Sequence, residues 1–232
     1  MMTPRDRPSR PTQARENAAR GFGNVPASLP PRALVAVKTA VFVASLYELA
    51  RLVWLGVRDD LGANPVELVE RGLGTAALVM LLVTLAVTPL RRLTGWTWLV
   101  RLRRMLGLFA FFYAALHVTA WVWLDHWMDW QAIVEDVVKR PYLTFGAIAF
   151  VLLVPLAITS TKGWVKRLGG RHWQRLHRLV YAAAVLAVAH YWFHKLAKND
   201  LSTPAIYAVI LAALLAARLV HWGARVRASR AA

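Results

Sequence analysis

Five stretches of this chain, 72–90, 105–124, 141–161, 179–194 and 201–217, contain no Asp, Glu, Lys or Arg. A helix needs about 20 mainly apolar residues to cross the hydrocarbon core of a bilayer. Three of the runs meet that length alone. The runs 179–194 and 201–217 meet it once flanking Arg and Lys snorkel to the interface. A sixth candidate, 33–57, is apolar but carries Lys38, Glu48 and Arg51. Lys38 lies near one end. Glu48 and Arg51 are three residues apart, share a helix face and can pair. A cleaved signal peptide is the rival reading of this segment, but the apolar stretch starts late and is long. The overall apolar fraction of 58% agrees with membrane residence, since soluble domains hold roughly 45–50%.

The net charge of +17 invites a nucleic-acid reading, but its placement favours another. Segments 1–32, 91–104, 161–178 and 218–232 together hold 21 Lys/Arg and 2 Asp/Glu. The alternating segments 58–71, 125–140 and 195–203 hold 6 Lys/Arg and 9 Asp/Glu. Basic loops stay in the cytoplasm. The expected fold is therefore an all-α integral membrane protein, a six-helix transmembrane bundle with both termini cytoplasmic and no nucleic-acid partner. Residues 1–32, rich in Arg and Pro, read as a disordered basic cytoplasmic tail. Residues 33–222 form the transmembrane domain, and 223–232 a basic cytoplasmic tail. The sequence 61–65 is a turn signal between the first two spans. The acidic loop 125–140 is expected to hold a short interfacial helix around Trp127, Trp130 and Ile133, and 161–176 a basic loop. Trp121, Trp123, Trp127 and Trp130 fall at the outer ends of spans, and Trp96, Trp98, Trp164, Trp173 and Trp222 at the inner ends, as an aromatic belt requires.

There is no Cys, which removes disulfides, thiolate metal sites, Cys nucleophiles and covalent haem attachment. The chemistry therefore falls to the histidines. His117 and His190 lie in the third and fifth spans, which run the same way, and stand at similar depth in the outer half of the bilayer. Two imidazoles at one level on two helices can ligate a haem iron from both faces. The blander reading is a pair of neutral histidines bonded to backbone carbonyls or hydroxyls across helices.

His177 opens the fifth span 13 residues before His190, a rise of about 20 Å that suits two stacked haems. The two positions are about 140° apart around an ideal helix, so a shared crevice needs a kink or a His177 outside the regular helix. The third span offers no matching inner His; Arg103 and Arg104 stand near that level. A quinone head group or a haem propionate is the other reading for His177. His194, one turn past His190, is an alternative ligand or an ordinary interfacial His. The pair lacks a third ligand or a Glu base, which argues against zinc. His126, His172 and His221 read as interfacial. Arg103, Arg104 and Arg175 belong to a basic inner surface that suits anionic lipid, haem propionates, a flavin phosphate or a quinone.

Arg140-Pro141-Tyr142-Leu143-Thr144-Phe145-Gly146, Thr159-Ser160-Thr161, Trp173-Gln174-x-Leu176-His177 and His190-Tyr191 resemble the haem-binding membrane subunit of bacterial periplasmic methionine-sulfoxide reductase systems, the MsrQ or YedZ family. That family sits in the ferric-reductase-like transmembrane superfamily with NADPH-oxidase membrane domains. Gly62-Ala63-Asn64-Pro65-Val66, Thr88-Pro89-Leu90 and Arg103-Arg104-x-Leu106-Gly107-Leu108 through Leu116-His117 also resemble it. The resemblance covers roughly residues 60–195. It implies one or two b-type haems with His117, His177 and His190 as iron ligands, and FMN as a further cofactor. It also implies a quinol donor and a periplasmic molybdopterin-containing reductase partner in the bacterial inner membrane. Sulfoxide chemistry would belong to that partner. Two other classes stay open at this point: a proton-coupled transporter or channel using intramembrane His and Glu48, and a ferric or cupric reductase with the same haem core.

Overall fold

A computed structural model describes residues 28–196 and 199–230. Most of the tail at 1–32 lies outside these residues. Among the described residues every long element is helical: α1 (Pro31–Ser45), α2 (Tyr47–Val57), α3 (Pro65–Thr94), a 3-10 turn (Thr97–Arg101), α4 (Arg103–Ala120), a π-turn (Trp121–Asp125), α5 (Trp130–Lys139), α6 (Pro141–Ile158), α7 (Lys162–Leu176), α8 (Leu179–Leu196) and α9 (Ser202–Arg230). Six helical segments are long and apolar enough to cross a membrane: α1 with α2, α3, α4 with its π-turn, α6, α8 and α9 through Ala224. The chain is a multi-pass membrane protein, as the charge-free stretches lead one to expect.

Local chemistry sets the ends of these helices. Asn64 accepts the Glu67 N–H at the start of α3, followed by Pro65, so an otherwise orphaned donor is satisfied and φ is already helical. The helix stops at Gly95, whose φ of 74° is cheap only for glycine. The expected interfacial helix is α5, capped by Asp129, and its Ile133 is buried.

Three features depart from the simple pattern. The first span is broken at Leu46 into α1 and α2. The basic segment after the fourth span is a helix, α7, kinked at Gly169 (φ 72°, ψ 150°), and not a loop. The last helix continues through Arg230, past the expected end of its span.

The bundle is organised as two closely packed pairs, α3 with α4 and α6 with α8. Ala183 and Ala184 are fully buried beside Leu85, Ala110 and Leu153. Such small residues let helix backbones approach where lipid supplies no hydrophobic drive between helices. Contacts of α4 with α6 and of α3 with α8 join the pairs, and α9 closes the bundle through α8 and α3. That last contact has a specific anchor. Pro89 lies inside α3 and has no N–H, so the Leu85 carbonyl loses its intrahelical donor. Arg218 on α9 supplies one, with Nη2 at 2.8 Å from Leu85 O, while its Nη1 donates to the Tyr181 hydroxyl on α8.

Candidate functional site: two opposed histidines

His117 projects from α4 toward α3, and its Nδ1 lies 3.0 Å from the Glu70 carbonyl oxygen. His190 projects from α8 toward α6, and its Nδ1 lies 2.7 Å from the Tyr142 carbonyl oxygen. A carbonyl only accepts, so each Nδ1 carries the proton and donates. Each Nε2 is then the nitrogen with a free lone pair, the tautomer a metal-ligating imidazole requires. Neither Nε2 makes a hydrogen bond among the described residues.

The two halves use the same device. Four residues beyond each acceptor carbonyl stands a glycine, Gly74 on α3 and Gly146 on α6. A Cβ on Gly74 would lie 3.1 Å from His117 Cε1, and one on Gly146 would lie 2.8 Å from His190 Nδ1. Each ring therefore lies flush against its partner helix because that helix lacks a side chain there. Packing of α3 on α4 and of α6 on α8 brings ring and carbonyl together. Contact between the pairs then sets the two rings against each other.

The ring centroids are 6.2 Å apart, with planes crossing at 68°. A metal–imidazole bond of about 2.0 Å, plus about 1.1 Å from nitrogen to ring centre on each side, places two axial imidazoles about 6.2 Å apart. The observed spacing equals that figure. The site is also poor in alternative ligands: among the described residues no group of three or more His, Cys, Asp or Glu is arranged to hold a bare metal ion. Two imidazoles at this spacing, each with Nδ1 engaged by a carbonyl, suit an iron whose other four ligands come from a macrocycle.

His177 is elsewhere. It lies outside α8, at the end of α7, which is the condition the angular mismatch with His190 demanded. Its Nε2 is 3.0 Å from Thr159 Oγ1. That hydroxyl donates to the Pro155 carbonyl at 2.6 Å, so His177 is the donor to Thr159. Its ring stacks on Trp173 at 3.9 Å, and the Trp173 indole N–H donates to the Thr159 carbonyl at 2.9 Å. The segments 159–161 and 173–177 thus form one lock holding α7 to the end of α6. Burial, with the Arg103 charge adding to it, holds the His177 imidazole below its ordinary pKa.

Arg103 is half-buried on that side, whereas Arg104 and Arg175 are exposed. His194 follows His190 by one turn, its ring 5.3 Å from that of Tyr142. His126 ties the π-turn to α5 through Asp136, with Nε2 to Oδ2 at 3.1 Å. His172 and His221 are exposed. Sequence reasoning missed the residues that hold the pair, namely Glu70, Gly74, Tyr142 and Gly146. The spacing of each glycine four residues after its acceptor was visible, but only the helix pairing gives it meaning.

Residues 73–188 match the family described as ferric reductase like transmembrane component; this range contains His117 and ends two residues before His190. The chain therefore belongs to that class of membrane proteins. Its similarity to particular members is higher still. It is 54% identical over 198 residues to the protein-methionine-sulfoxide reductase heme-binding subunit MsrQ of Ralstonia nicotianae, covering 85% of this chain and 91% of that protein. It is 53% identical over 204 residues to the MsrQ of Bordetella pertussis, covering 88% and 98%. It is 55% identical over 197 residues to that of Rhodospirillum rubrum, covering 84% and 92%. The chain is a member of the MsrQ family.

Proposed function

We propose that this protein is the haem b electron-transfer subunit of a bacterial inner-membrane methionine-sulfoxide reductase system. In this reading both termini face the cytoplasm and the His117/His190 level lies toward the periplasm. The observation that carries it is the opposed imidazole pair, with each Nδ1 donated to a carbonyl and a spacing that fits one iron between them. The names of the relatives supply the haem and the reductase. When bound, the haem supplies a one-electron couple. The residues of this chain hold and orient it: Glu70 and Tyr142 fix the tautomer and raise the basicity of the ligating nitrogens. With His117 and His190 both ligating, the iron would be left without an open position, which favours electron transfer over oxygen binding.

Electrons would enter from membrane quinol and leave to a periplasmic molybdopterin-containing catalytic subunit. That partner would dock on the outer segments 58–71, 125–140 and 195–203 and would carry out the sulfoxide reduction. FMN enters the proposal on family resemblance, with Arg103, Arg104 and Arg175 as phosphate or propionate contacts. Reconstitution tests the scheme. The haem-loaded chain should be reduced by quinol and re-oxidised by the partner with its sulfoxide substrate; a chain that binds haem but exchanges no electrons with either would refute it.

A second, inner haem at His177 is the other reading. It is favoured by the rise of about 20 Å between His177 and His190 and by Arg103 beside it. A haem-to-chain ratio near two that falls to one in His177→Ala would carry it. A ratio near one, unchanged in that variant, leaves His177 as a positioning residue for α7.

A further inference from the structure

A cleft of about 540 Å³ opens between the first span and α3, and neither histidine of the pair lines it. Its walls are mainly apolar. Its polar lining is concentrated in Ser45, Glu48, Arg51, Arg71, Thr75 and Tyr113. Glu48 and Arg51 lie within a membrane span, where ionisable groups are costly and mark function by default. They form a fork, with Nη2 to Oε1 at 2.6 Å and Nε to Oε2 at 2.9 Å. Their side chains are not sealed from the surroundings, being 20% and 35% exposed. Val43 and Tyr47 beside them are more than half exposed, so the mouth of the cleft faces lipid.

The protein is shaped around this cleft. The helix break at Leu46 lies on it. Tyr113, fully buried, bridges the break: its hydroxyl donates to Ser45 O at 2.6 Å and accepts the Leu49 N–H at 3.4 Å. Gly72 makes room for the carboxylate, since a Cβ there would lie 2.5 Å from Glu48 Oε1. The cleft also adjoins the histidine pair. Positions 72 and 74 are about 200° apart around α3, so Glu48 and His117 touch nearly opposite sides of one helix about 10–12 Å across. Tyr113 lies one turn from His117 on α4.

We propose that this cleft is the quinol site, entered sideways from the bilayer, with Glu48 as the proton acceptor; the inference rests on the quinol-to-haem direction proposed above. An apolar wall suits the isoprenoid-substituted ring. The carboxylate accepts from a quinol hydroxyl, and the guanidinium donates to the carbonyl of the quinone product. Oxidation of one quinol to quinone breaks two O–H bonds and releases two electrons and two protons. The two electrons would leave one at a time toward the haem that His117 and His190 would hold, which when bound supplies a one-electron couple, and from there to the partner. Each proton goes to the Glu48 carboxylate and on to the outer aqueous face past Arg71, at the rim of the cleft.

The test uses the full haem-loaded chain in nanodiscs and a short-chain azidoquinone as photolabel, with labelled peptides mapped by mass spectrometry. Label should concentrate in 44–51 and 68–80 and be displaced by the parent quinone. Glu48→Gln should lower both the displaceable label and the rate of quinol-driven haem reduction by about tenfold or more, with the dithionite-reduced spectrum unchanged. Ala44→Trp, which narrows the lipid-facing mouth and leaves the ion pair intact, should do the same if the Glu48 variant fails to fold. Displaceable label elsewhere, diffuse label with no displacement as for annular lipid, or label undiminished in the folded variants would each overturn the site. Loss of haem reduction by quinol in the wild type, with labelling of the cleft intact, would instead count against the electron route.

Discussion

Gly146→Ala is the sharpest test of how the histidine pair is held. In a helix interior, Gly to Ala ordinarily stabilises by about 0.5–1 kcal/mol. Here the new Cβ would lie 2.8 Å from His190 Nδ1, whereas carbon contacts are comfortable near 3.5–4.0 Å. The ring must retreat by about 0.7 Å or more. The Nδ1–Tyr142 carbonyl separation, now 2.7 Å, would then exceed the range of about 2.7–3.2 Å in which such a bond is strong. Loss of an outer partner of this kind typically lowers metal-site affinity about 10–100-fold, or about 1.4–2.7 kcal/mol. The assay is haem titration of the purified apoprotein followed by absorbance, with thermal unfolding measured in parallel. Gly107→Ala is the control, because its Cβ would meet Thr84 Cγ2 at an ordinary 3.6 Å. Haem affinity should fall in Gly146→Ala and hold in Gly107→Ala. Equal, wild-type affinity in both would refute the idea that the glycine seats the ligand.

Other consequences are equally direct. His117→Ala or His190→Ala should abolish the low-spin haem spectrum, because each removes one axial nitrogen; size-exclusion profiles should show that the bundle persists. Arg218→Met should destabilise the protein by about 1.5–3 kcal/mol, the range for a hydrogen bond to a charged group, measured by unfolding in detergent. Adding Pro89→Ala should recover part of that loss, because residue 89 then donates to Leu85 O itself, and the double-mutant cycle should show the coupling. Thr159→Val removes the acceptor for His177 and the donor to Pro155, so proteolysis within α7 should accelerate while haem content holds.

The spans were legible because bilayer thickness and charge exclusion act on consecutive residues, and 72–90 or 141–161 satisfies both without help from the rest of the chain. The common depth of His117 and His190 followed from counting residues in two helices running the same way. The Glu48–Arg51 pair followed from i, i+3 spacing. What could not be read depends on which helix faces which. Gly74 and Gly146 look like any helical glycine until α3 is paired with α4 and α6 with α8. Arg218 looks like an interfacial charge until its guanidinium is found on the carbonyl that Pro89 orphans. The segment 161–176 was read as a loop because its charge is high. In the structure only Gly169 is non-helical, and Trp173 and His177 draw the segment back onto Thr159.

The most direct test of the central claim is a dithionite-reduced minus oxidised absorbance spectrum of the detergent-purified protein, with haem quantified per chain, taken beside His117→Ala and His190→Ala. The account predicts a low-spin b-type spectrum in the wild type and its loss in both variants. A featureless spectrum from folded protein made with ample haem, or full haem retention in both variants, would contradict it.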